Sequence, residues 1–111
     1  MAGDEVAALT MKYDDLRKAV EFVLRSSRTS RARVTIGYDG QELILLRTGS
    51  SARVLAVGCW PGTATIYGRG VLEKLDQLRP DAGQVTLRVV GPRLSFGEFV
   101  VDCDWNRQTP R

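Results

Sequence analysis

The chain has 111 residues, with 16 Lys and Arg against 13 Asp and Glu and a formal net charge of +3. This length suits one domain, and 43% hydrophobic with 26% charged residues excludes a disordered tail, a collagen-like chain and a disulfide-dense miniprotein. There is no His, which removes His-based nucleophilic catalysis, His general bases and His-containing zinc sites; two cysteines, Cys59 and Cys103, are too few for a four-thiolate site.

The first residues carry neither the basic nor the long apolar region of a signal peptide. No apolar run approaches the ~20 residues of a membrane helix, so a cytoplasmic chain is expected, with no membrane partner. A first strand is expected over residues 6–12. A helix follows over 14–27, with Asp14 and Asp15 at its positive end and Leu16, Ala19, Val20, Val23 and Leu24 at helical spacing. Arg25 and Arg28 suit its C-terminal end.

Strict alternation takes over next. Val34, Ile36 and Tyr38 share one strand face, and Asp39-Gly40 signals a hairpin in which both positions take positive φ. Strands are expected over 41–47 and 52–57, then over 63–67 after the Trp60-Pro61-Gly62 break. A second helix is expected over 70–79, with Val71, Leu72, Leu75 and Leu78 as its buried stripe and Pro80 as its stop. Strands over 84–90 and 94–96 precede a last one over 99–105, in which Phe99, Val101, Cys103 and Trp105 alternate against Val100, Asp102 and Asp104. Residues 106–111 look like a polar tail on a single domain, 1–111, with its core over 6–105. Leu16, Val20, Val23, Leu72, Leu75, Val85, Leu87, Phe99 and Val101 are the expected core, and both cysteines are expected to be small buried residues.

The order is β-α-β-β-β, twice. Two helices cover only one side of the sheet, so the expected class is α+β, an antiparallel sheet with two helices on one side. This doubled plan resembles one domain of the DNA sliding clamps, the processivity rings such as the bacterial DNA polymerase III beta subunit. Three runs carry the likeness: Leu9 to Val20 as opening strand and helix, Asp39 to Leu45 as first hairpin, and Pro92 to Cys103 as closing hairpin. In that family six domains close a ring whose helices line the hole. The resemblance implies a homo-oligomer of six copies, or a ring completed by partners, built through edge strands and associated with DNA in replication or repair. The family's peptide pocket lies beside an interdomain linker, so it does not carry over to one domain.

Duplex DNA, bound without sequence preference, is the first expected partner. The stretch 16–33 holds Arg17, Lys18, Arg25, Arg28, Arg31 and Arg33 against Glu21 alone. The alternative for these residues is a solvated charged helix face. On the second helix Arg69 and Lys74 are the candidate phosphate contacts, balanced by Glu73 and Asp76. Phe22 points toward the basic side of its helix, and Trp60 sits at a strand junction. Both are candidate contacts for a protein partner, with an edge-of-core position as the alternative. Trp105 continues an apolar stripe and reads as core. Gly68-Arg69-Gly70 is not a full dinucleotide fingerprint, no phosphate loop occurs, and Asp102 with Asp104 reads as a solvated strand face. No catalytic residue, metal ligand or cofactor is therefore assigned. Two functions stand: a clamp-like ring or scaffold on DNA, and a clamp-fold protein-interaction module with no DNA role.

Overall fold

The computed structural model describes residues 5–25, 31–79 and 82–107. In chain order they form β1 (Glu5–Lys12), α1 (Tyr13–Leu24), β2 (Arg33–Tyr38), β3 (Glu42–Arg47), β4 (Ser50–Cys59), β5 (Gly62–Tyr67), α2 (Gly68–Gln77), β6 (Gln84–Val90), β7 (Arg93–Phe96), β8 (Phe99–Asp102) and β9 (Asp104–Arg107). The nine strands make one antiparallel, curled half-barrel sheet of order β8-β7-β6-β1-β4-β3-β2-β5-β9. With two helices, this is an α+β fold.

The pairings repeat. In the first half β1 pairs with β4, β4 with β3, and β3 with β2. In the second half β5 pairs with β9, while β8 pairs with β7 and β7 with β6. The halves join twice, through β1 with β6 and β2 with β5. Strands β8 and β9 together thus take the place in the second half that β4 holds in the first.

Alternation sends Leu9, Val34, Ile36, Leu43, Leu45, Val54, Ala64, Ile66, Leu87, Val89, Leu94 and Phe96 to one face. Both helices bury their apolar stripes in the same cluster, Leu16, Val20 and Val23 from α1 and Val71 and Leu75 from α2. The helices therefore lie together on one side of the sheet. Gly68 permits this closeness: a Cβ there would press on Leu24 and Val34 side chains at 2.8–3.2 Å. Its N–H donates to the Ala32 carbonyl at 2.9 Å, so α2 starts at Gly68, earlier than expected, and ends at Gln77 where Leu78 turns extended. Helix α1 ends at Leu24; the expected continuation through 26–27 lies outside the described residues. The Tyr13 N–H donates to the Gly83 carbonyl, and the Tyr13 hydroxyl donates to the Leu75 carbonyl of α2.

Several expectations are corrected. Leu72, Phe99 and Val101 are only partly buried, packed against the core rather than inside it. At the first hairpin Gly40 alone takes positive φ, at 100°. The Asp39 carboxylate instead accepts the N–H groups of Gln41 and Glu42 at 2.9 and 2.7 Å, giving a longer loop than a two-residue turn. Cys59 is exposed because β4 runs on to that residue and directs its side chain outward; Cys103 is buried, and both are free thiols. The last strand breaks at Cys103, whose N–H donates to the Pro92 carbonyl at 2.9 Å. Asn106 and Arg107 belong to β9, not to a polar tail, because they pair with Thr63 and Gly62.

This break decides how the sheet ends. Strands β8 and β9 are its two edges, yet only Cys103 separates them in the chain. One segment therefore bridges both edges and draws the sheet into its curl. On the β9 side of this break Arg33 of β2 pairs with Asp104 at 2.5 Å and lies over the Tyr67 ring at 5.7 Å.

Candidate functional site

The described basic residues of the first helix are engaged to different degrees. Arg17 reaches across to α2, with its Nε 2.6 Å from Asp76 and its Nη1 3.7 Å from Glu21. The hydrogen bond and charge of Asp76 raise the Arg17 pKa further, with Glu21 adding to it. Arg25 lays its guanidinium over the Phe22 ring at 5.4 Å. Lys18 is exposed and makes no ion pair among the described residues. Arg28 lies outside the described residues.

On α2, Lys74 sits over the Phe99 ring at 5.6 Å, and Arg69 is partly buried and already engaged. Across α1 and its C-cap, Asp14, Asp15 and Glu21 match Arg17, Lys18 and Arg25 in number; in α2, Glu73 and Asp76 match Arg69 and Lys74. Among the described residues, the layer formed by the two helices carries no net formal charge.

The two aromatic candidates part company. Trp60, expected as a candidate partner contact, is buried, 4% exposed. Its indole N–H donates to the Ile36 carbonyl at 3.0 Å, and its ring meets Trp105 edge-on at 5.5 Å. Satisfying a donor while burying a large ring holds it inward. Phe22 is 47% exposed.

Sequence reasoning missed the two most exposed large apolar residues, Leu55 at 71% and Val57 at 70%. They lie on the outer face of β4, the central strand of the sheet, while Val54 and Ala56 point into the core. The signal was present: Val54 to Val57 is apolar without a break, as befits a strand apolar on both faces.

Leu55 is the ridge between two open hollows. One, of about 550 Å³, runs between α1 and β4, with Lys18, Phe22 and Arg25 on one wall and Arg53 and Leu55 on the other. The second, of about 680 Å³, continues past Leu55 to Val57, with Lys12, Tyr38 and Gln41 at its margin. Asp15 borders both. Arg53 is held by Asp39 at 3.1 Å and Glu42 at 3.3 Å. The Asp39 carboxyl is held below its usual range, first by the Glu42 N–H, then by the Gln41 N–H and, more weakly, by Arg53.

Asp102 and Asp104 stand on either side of the Cys103 break, where Asp104 serves Arg33. Among the described residues no group of three or more His, Cys, Asp or Glu side chains is placed to hold a metal ion. Among them, too, no helix is long and apolar enough to cross a membrane. No family model matches this chain, and no curated protein matches it.

Proposed function

We propose that this domain is a protein-interaction module built on a plan similar to a sliding-clamp domain. The observation that carries this reading is the balanced helix layer, in which Arg17 is committed to Asp76 and Glu21. A duplex attracts a surface through unneutralised cations, and binding weakens steeply with salt in proportion to the phosphates contacted. A layer whose charges cancel offers little of that field. The edges give the same direction: β8 and β9 have four residues each and are bridged by one chain segment, a poor template for joining copies edge to edge.

The ring on DNA is the second reading. It is favoured by the repeated pairing pattern with both helices on one face, the arrangement that the clamp resemblance implies. Native mass and retention of circular duplex at low and moderate salt separate the two. The module reading expects a monomer and no retained duplex. An assembly of six copies that holds circular duplex, with a salt slope reduced in Lys18→Ala and Arg25→Ala, would establish the ring instead.

A further inference from the structure

The geometry points to the two hollows around Leu55 as the docking site of an acidic peptide segment with two apolar anchors. This rests on the reading of the domain as a protein-interaction module, and adds where the partner sits and what chemistry it carries. Phe22 and Leu55 line the first hollow, Leu55 and Val57 line the second, and all three are exposed. Leu55 and Val57 are two residues apart on one strand, so their side chains are ~7 Å apart. An extended segment presents its own alternate side chains at the same spacing. β4 is paired with β3 over Ser50–Leu55 and with β1 over Ala56–Cys59, and the segment docks on it by side chains.

The charges choose the partner. Glu42 already faces Arg53 at 3.3 Å, and Glu21 lies 3.7 Å from Arg17, which it shares with Asp76. Among the described rim residues, the cations without an ion pair are Lys12, Lys18 and Arg25, the last of them over the Phe22 ring, and the carboxylate without one is Asp15. Lys18 and Arg25 flank Phe22 at helical spacing, one turn before and one after it. An apolar anchor beside Phe22 therefore brings its neighbours toward two cations, and Asp or Glu at those neighbours complete the pairing.

The test is selection of a random phage-displayed peptide library on the immobilised full chain, followed by fluorescence anisotropy with the labelled winning peptides. The expected winners alternate Leu, Phe or Ile with Asp and Glu. Their affinity should fall about tenfold in Phe22→Asp and in Leu55→Asp, both exposed positions, with the far-ultraviolet circular dichroism unchanged. The pair Lys18→Glu and Arg25→Glu should reverse the charge preference, so that Lys-substituted versions of the same peptides bind better. Winners with basic flanks, or acidic winners indifferent to both Phe22→Asp and Leu55→Asp, overturn this site and leave the module reading standing. A library that yields no binder overturns both.

Discussion

Trp60 is held by a single polar contact inside an apolar setting. Trp60→Phe keeps a buried ring but removes the N–H that satisfies the Ile36 carbonyl and shrinks the surface facing Trp105. The variant should lose about 1–3 kcal/mol of stability in urea unfolding, with an unchanged denaturant slope. A loss under about 0.5 kcal/mol would show that the carbonyl finds another donor. Burial of Trp60 was not legible locally. Pro61 interrupts the alternation, and the inward direction depends on Trp105 and Ile36, which only the folded sheet brings near. Phe22 is the opposite case: helical periodicity alone placed it off the apolar stripe, and it is half exposed. Periodicity reports the direction a side chain takes from its own element. It carries nothing about what arrives from elsewhere.

Among the elements, the doubled β-α-β-β-β order was legible because each strand and helix announces itself by its own spacing. The break at Cys103 was not, because Cys103 and Trp105 continue the alternation of Phe99 and Val101 without a fault. Which strand a segment pairs with is a property of the sheet, and here one run changes partner midway, from β7 to β5. The first hairpin shows a finer limit. Asp39-Gly40 marked the turn, but Asp39 acts through its carboxylate rather than through a positive φ. That carboxylate has a lowered folded-state pKa, so its charge stabilises the fold above the ordinary carboxylate range of about 4, and the contribution fades as pH falls through the lowered value. Asp39→Asn keeps an acceptor oxygen and removes the charge. It should be less stable than the parent near neutral pH, and the difference should close on acidification below about pH 4. A gap that stays constant from neutral to strongly acid pH would mean that the charge of Asp39 contributes nothing.

At the scale of the whole molecule, the sheet is uneven in what holds it. At its centre β1 is paired on both sides, to β4 and β6, and Leu9 is fully buried there. On its β9 side the seam rests on a short edge strand and two light fastenings. The Arg33–Asp104 pair is largely exposed, an arrangement worth ~0–1 kcal/mol, and the Trp60–Trp105 edge contact adds ~0.5–1.5 kcal/mol beyond burial. The seam should therefore open on its own, well below the free energy of global unfolding. Cys103 reports on that opening: it is buried at the seam, and its thiol pKa is raised by burial first, then by Asp104 and Asp102. In a Cys59→Ser background, which removes the exposed thiol, a maleimide should label Cys103 slowly at fixed pH in the absence of denaturant. Arg33→Ala should speed that labelling. Leu9→Ala, which should cost about 2–5 kcal/mol of global stability, should leave it nearly unchanged, because the cavity lies on β1, inside the sheet, and Cys103 at the junction of its edges. If labelling instead accelerates in step with the global destabilisation of Leu9→Ala and ignores Arg33→Ala, Cys103 is reached only through complete unfolding, and the curled sheet opens as one cooperative unit with no weak seam.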